Sequence, residues 1–256
     1  MAHVALTDSG RSAATPRKAA ELVAEDIRTS IAEGRLEPGH RLPPQPELAT
    51  HFSVSAPTLR EALRILETDG LVSVRRGVKG GTIVSAPNLS AMSRQLGMYL
   101  QMNGATVADA YAARLALEPP AVALLADRLT PEVKAELLDA IDQLRRSLDD
   151  SAAVAAPAAR FHTLLLERCG NVTFAALGGV TAHVLERHIA TAIRSSLPGG
   201  DLRELGEIDI GRQMKLIDLL DAGDGPGAET FWRKTLRRQL NFLVANGTAD
   251  RKLDFG

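Results

Sequence analysis
At 256 residues the chain is long enough for two domains, and its 45% hydrophobic content supplies a sizeable core. A net charge of −1 excludes a protein that holds nucleic acid by bulk positive charge, though not one with a local basic face. Cys169 is the single cysteine, which excludes an intramolecular disulfide and fits a reducing compartment. Residues 1–15 are small and polar and are expected to form a flexible N-terminus. They lack the apolar run of a signal peptide, and no stretch approaches the roughly 18 apolar residues of a membrane span, so a cytoplasmic protein with no membrane contact is expected.

From Pro16 the pattern turns helical, with Leu22, Val23, Ile27 and Ile31 at three- and four-residue steps, until Gly34 and Pro38-Gly39 stop it. A second short helix carries Leu48 and Phe52. The turn Ser53-Val54-Ser55 follows, with Ser55 placed to cap a third helix that carries Leu59, Ala62, Leu63 and Leu66. After Gly70 the period changes. Two β-branched runs, 71–74 and 82–84, flank the glycine-rich turn Gly77 to Gly81, which predicts a hairpin. From about Leu89 onward the chain reads as seven helices with short connections, an all-α bundle. The alanine-rich stretch Ser151 to Ala159 is expected to open the helix that ends near Arg168.

Helix, helix, turn, helix and hairpin in succession form the layout of a winged helix-turn-helix, whose third helix fits the major groove while the hairpin reaches backbone or minor groove. On that reading Thr58, Arg60 and Arg64 stand off the buried stripe of the third helix, with Arg60 and Arg64 one turn apart on one face. From Leu71 to Ala86 there are three cations, Arg75, Arg76 and Lys79, and no acid, so the wing is locally positive. The expected DNA-binding set is Ser55, Thr58, Arg60, Arg64, Arg75, Arg76 and Lys79.

The segment LEPGHRLPPQPELATHFSVSAPTLREALRILETDGLVSVRRGVKGGTIV, residues 36–84, resembles the signature of the GntR family of regulators. The helical remainder, with Arg114 and Glu118 early and Phe161-His162 followed by Gly170-Asn171, resembles the FadR-type (FCD) effector domain. The resemblance implies a homodimer on a near-palindromic operator of double-stranded DNA, released by a small-molecule effector. The domains so expected are a DNA-binding domain over 16–86, an effector-binding and dimerisation domain over 88–248, and a tail over 249–256. A repressor is the favoured reading. An activator of the same architecture, or a helical ligand-binding protein whose winged domain makes protein contacts, is the alternative.

Two departures from the family pattern bear on DNA readout. Pro44-Gln45-Pro46 stands where the family has Ser-Glu-Arg, and Ser55-Ala56 where it has Ser-Arg, so of three family arginines Arg60 alone remains. In the effector domain, the positions of the family's aspartate and three histidines are Ala158, His162, Gln213 and Thr235, which leaves one good ligand and predicts no metal and no other cofactor. His183 and His188 lie five residues apart, about 140° around a helix, and share no face. The expected effector-binding residues are therefore Arg114, His162 and Gln213, with Arg160, Arg187 and Arg194 as weaker cations for a carboxylate or an acyl-CoA thioester.

No enzymatic constellation is expected. Cys169 and His162 are seven residues apart on one helix, about 10 Å and beyond contact, so Cys169 reads as a buried inert thiol. The Gly77 to Gly81 turn lacks Gly-Lys-Ser/Thr, and no Glu-x-x-His pairs suit a di-metal oxidase. Phe231 and Trp232 read as core.

Overall fold
The computed structural model describes residues 16–75, 81–85, 89–196 and 202–253, and the chain divides into two compact units, 1–88 and 89–256. The first unit contains α1 (Pro16–Ala32), α2 (Gln45–His51), α3 (Ala56–Thr68), β1 (Val72–Arg75) and β2 (Gly81–Val84). The buried stripe of α1 is Ala20, Val23, Ala24 and Ile27. Leu22, expected on that stripe, is instead exposed, because it falls about 100° away from Val23 around the axis. The stripe of α3 is the expected Leu59, Ala62, Leu63 and Leu66, and α1 packs on α3 across it.

The turn between α2 and α3 places Ser53 at φ 52°, a left-handed residue that here is not glycine. Ser55 is the N-cap of α3: its hydroxyl accepts from Thr58 N at 3.3 Å and lies 2.8 Å from Thr58 Oγ1. Replacing Ser55 with alanine removes this acceptor at a cost of about 0.5–2 kcal/mol. Amide exchange in the first turn of α3 is then expected to speed up roughly 2- to 30-fold, and an unchanged rate would show that the cap contributes nothing.

β1 and β2 pair antiparallel with Val72 opposite Val84 and Arg75 opposite Gly81. A third edge runs along β2. Gly39 N donates to Val84 O, Val84 N to His40 O and Leu42 N to Thr82 O, with Arg41 opposite Ile83. Glu67 on α3 accepts from Val74 N at 3.1 Å, which ties the wing to the helix. The wing tip, with Arg76 and Lys79, lies outside the described residues.

Among the described residues the second unit contains seven helices: α4 (Leu89–Met102), α5 (Val107–Ala126), α6 (Pro131–Ser147), α7 (Ala155–Arg168), α8 (Val172–Ser196), α9 (Leu202–Asp221) and α10 (Gly225–Ala245). α5 packs against α10 and α7, α7 against α8 and α6, and α9 against α6 and α10. Trp232, Phe161, Leu125, Leu137 and Ile141 are among the largest fully buried side chains of this core. α8 lies close on α7 at Gly178, where a Cβ would come within 2.8 Å of Leu166 Cβ. The expected tail, over 249–253, returns against the start of α5: Val107 N donates to Arg251 O and Leu253 N to Ala105 O.

α5 continues through Pro119 and Pro120, which would ordinarily stop a helix. Pro119 cannot donate to Leu115 O, and Arg233 Nη1 of α10 donates to that carbonyl instead, at 3.3 Å. A capping box at Thr106 and Asp109 fixes the other end of α5, with Thr106 N donating to Asp109 at 2.8 Å and Asp109 N to Thr106 Oγ1 at 3.2 Å. No helix among the described residues is long and apolar enough to cross a membrane.

Candidate DNA interface and effector cavity
In the first unit, α3, the start of α2, the edge 39–42 and the wing enclose a groove of about 540 Å³. Arg41, Arg60, Arg64 and Arg75 stand around it, and its one carboxylate, Glu67, is occupied by the Val74 amide. The four guanidiniums make this a local anion-attracting surface on a chain whose net charge is close to zero. The arginines differ in what holds them. Arg64 makes a two-point ion pair with Glu61 (Nη2–Oε1 2.8 Å, Nε–Oε2 3.0 Å), which lowers the Glu61 carboxyl and raises the Arg64 guanidinium from their ordinary values. Arg60 is exposed and enters no ion pair among the described residues. Pro44 is the N-cap of α2 and supplies no side-chain acceptor, while Pro46 sits in the first turn, where its missing N–H has no intrahelical partner to lose.

Sequence reasoning places Ser55, Thr58, Arg60, Arg64 and Arg75 on this unit, and the groove brings Arg60, Arg64 and Arg75 together. It misses Arg41. That residue stands in neither a helix nor the hairpin, and only pairing of the 39–42 segment with β2 carries it to the groove.

In the second unit a cavity of about 400 Å³ is bounded by α5 to α10. Most of its wall is apolar, with Leu144, Leu148, Ile189 and Phe242 among the lining. Behind one wall lies a buried polar network. Arg114 Nε donates to Glu118 Oε1 at 2.6 Å, while Glu118 Oε2 faces His162 Nδ1 at 2.9 Å and accepts from Trp232 Nε1 at 2.8 Å. A guanidinium only donates. The arrangement is therefore satisfied by His162 Nδ1–H donating to Glu118 and Nε2 accepting from Arg114 Nη2, 3.1 Å away. Burial would raise the Glu118 carboxyl, but the charge of Arg114, with the hydrogen bonds from His162 and Arg114, outweighs it and holds Glu118 at about 2.

Two expected effector residues, Arg114 and His162, do line the cavity, each also committed to Glu118. Gln213 does not line it. It is fully buried, with Nε2 donating to Asp209 Oδ2 at 3.1 Å and Oε1 without a partner. Arg160 pairs with Glu167 at 2.8 Å and lines a different hollow, with His183, between α4, α7 and α8. Arg187 lines neither, and the Arg194 side chain lies outside the described residues. Cys169 is buried, its thiol donating to Leu166 O at 3.2 Å.

Trp232, expected as plain core, is also the donor that closes the Glu118 network. Sequence reasoning does not reach the cavity's further polar residues, Asp209, Arg212, Arg238, Gln239 and Tyr111, whereas His188, read from sequence as a surface or pocket-lining residue, lines the cavity. Asp209 is taken by Gln239 Nε2 at 2.7 Å and by Gln213, whereas Arg212 and Arg238 enter no ion pair among the described residues. The residues at the family's metal positions do not fit a metal ion. Ala158 and Thr235 supply no suitable ligand, and His162 has the Arg114 cation 2.8 Å from its Nδ1.

Comparison with known proteins places both halves. The profile of "Bacterial regulatory proteins, gntR family" matches residues 19–84 and that of the FCD domain matches residues 109–238. Over 244 residues the chain is 30% identical to the HTH-type transcriptional repressor NanR of Cronobacter sakazakii, covering 94% of this chain and 89% of that one. The NanR of Salmonella newport is likewise 30% identical, over 233 residues, with 90% and 85% covered. Among solved structures, a Streptococcus agalactiae GntR superposes with a TM-score of 0.60 at 20% identity, covering 86% of this chain and 98% of that one, a likeness of fold.

Proposed function
The chain belongs to the GntR family of bacterial regulatory proteins and carries an FCD domain, and on that premise we propose that it is a cytoplasmic repressor released from DNA by a small organic acid. In this reading a homodimer sets two copies of α3 into the major grooves of a near-palindromic operator. Arg60 and Arg64, with Ser55 and Thr58 at the helix start, meet base edges and backbone, while Arg41, Arg75, Arg76 and Lys79 meet phosphate.

The observation that carries the effector's chemistry is a pair of guanidiniums, Arg212 and Arg238, that enter no ion pair among the described residues, on an otherwise largely apolar cavity. Arg114 is neutralised by Glu118 and Asp209 is met by two amides, so the half-buried Arg212 and the exposed Arg238 are the cations left to meet an anion whose apolar body fills the cavity. A carboxylate held there releases DNA only by binding the DNA-incompetent arrangement more tightly than the competent one.

The test has two arms. Selection from random duplexes at two salt concentrations is expected to enrich a palindrome, with affinity falling as salt rises. Straight-chain acids from acetate to decanoate, set against their amides, are expected to raise the melting temperature and weaken operator binding, while the amides do neither. At a hundredfold excess over Kd the stabilisation is about 2.7 kcal/mol. Equal action of acids and amides would remove the anionic effector from this reading.

A further inference from the structure
His188 on α8 is completely buried, and neither of its ring nitrogens has a hydrogen-bond partner. Buried imidazoles are rarely left so, because an unmet donor or acceptor forfeits its bonds to water. The ring lines the 400 Å³ cavity in a T-shaped contact with Tyr111, centroids 4.7 Å apart at 82°, and Arg114 lies 4.7 Å over that same tyrosine ring.

The charged and titratable groups around it come from several helices: Tyr111, Arg114 and Glu118 on α5, His162 on α7, Asp209 and Arg212 on α9, and Arg238 on α10. α6 offers only the apolar Leu144 to the cavity. On α4, which packs against α8, Arg94 lines the other hollow and Tyr99 is exposed. Of these groups, Arg114, Glu118 and His162 satisfy one another, Asp209 is held by Gln239 and Gln213, and the Tyr111 hydroxyl donates to Gln239 at 3.4 Å. Among the described residues, what is left without a polar partner in the protein is Arg212 and Arg238, which solvent reaches, and the fully buried His188.

We propose that His188 is the anion-responsive group of this cavity, unprotonated in the free protein and taking up a proton as a carboxylate binds. The inference rests on the organic-acid reading above. Burial, and then the charge of Arg114, push the imidazole well below its ordinary value, with Glu118 opposing. A carboxylate can only accept, so it satisfies an imidazole best when both ring nitrogens carry hydrogen, and its negative charge favours the protonated ring. The step is a proton transfer from solvent to the free ring nitrogen, and no bond of the ligand changes.

The experiment titrates the full chain with hexanoate by calorimetry near pH 7, in buffers of low and high ionisation enthalpy. Hexanoate stays ionised between about pH 6 and 8, so any proton counted belongs to the protein. The expected result is uptake of up to about one proton per hexanoate, with affinity rising by up to about tenfold for each unit the pH falls. His188→Gln keeps a hydrogen-bonding side chain that cannot be protonated, and it is expected to bind with no uptake and a flat pH profile. Should that variant lose the folded Trp232 emission, His188→Phe keeps a ring against Tyr111 and serves the same comparison. Binding without proton uptake in the natural chain, or uptake undiminished in the variant, overturns the role of His188 and leaves the organic-acid reading standing. Failure of hexanoate to bind at all overturns both.

Discussion

Glu118→Gln is expected to destabilise the helical domain by about 3–5 kcal/mol, the range for removing one partner of a buried ion pair. Glu118 is 1% exposed, and its two oxygens serve three donors, Arg114 Nε, His162 Nδ1 and Trp232 Nε1. A glutamine can offer one oxygen to two of these. Its amide then faces the third donor to donor, and the Arg114 charge stays buried without its counter-ion.

The acid limb of stability should report the same carboxylate. Its folded value, about 2, lies below the ordinary 4.5, so the stabilisation is complete above pH 4.5 and is lost as pH falls toward 2. That interval corresponds to about 3 kcal/mol. His188, held neutral, acts in the same direction from higher pH, its contribution declining below 6.5 as the unfolded histidine takes a proton. Glu118→Gln should therefore flatten the curve below pH 4.5 and leave the shallower fall above it.

Trp232 is the only tryptophan and lies within the network, so urea unfolding followed by its emission isolates this domain from the other. Adding Arg114→Met to Glu118→Gln should recover most of the loss, since apolar replacement of a whole buried pair is often neutral. A loss under about 1 kcal/mol in the single variant would mean that the network is not what stabilises this core.

How far the sequence can be read differs between the two units for a physical reason. The stripe of α3, its Ser55 cap and the hairpin are local patterns of period 3.6 or 2, legible within a dozen residues. Leu22 misleads because a large apolar residue one position off the stripe looks periodic until the smaller Ala20 and Ala24 are counted. Arg41 depends on a partner some 40 residues away in sequence, the 39–42 edge on β2, which no local pattern carries.

In the helical domain Arg114, Glu118 and His162 are legible through resemblance, but the network that joins them to Trp232 is not. Glu118 sits just before two prolines where a helix would be expected to end, and Trp232 is 114 residues further along. Arg212 and Arg238 look in sequence like any solvated helix cation, because what distinguishes them is a place on the cavity whose acid, Asp209, is already taken by two amides, a tertiary fact.

Arg60→Ala is expected to weaken operator binding by about 1–3 kcal/mol, roughly 5- to 150-fold, more than Arg64→Ala does. Both side chains project from the exposed face of α3 beside the same groove. Arg64 must first leave its two-point pair with Glu61, so part of what DNA returns to it is already satisfied in the free protein. Arg60 has no such commitment. With Pro46 and Ala56 where the family pattern has its other two arginines, Arg60 is the one of the three that remains, and it is the base reader this prediction tests.

The salt dependence separates the roles. If Arg60 reads a base, its removal should relax discrimination at one operator position and nearly keep the salt slope. Removal of an arginine that meets phosphate should instead lower the slope by about one and weaken all sequences alike. Arg41→Ala, from the strand edge on the far side of the groove, is the phosphate-type comparator. Unchanged affinity and unchanged sequence preference in Arg60→Ala, measured on the selected palindrome and on a scrambled duplex, would remove α3 as the recognition helix. Readout would then have to come from the basic edge and wing, whose phosphate bonds fix position on the duplex but carry little sequence information of their own.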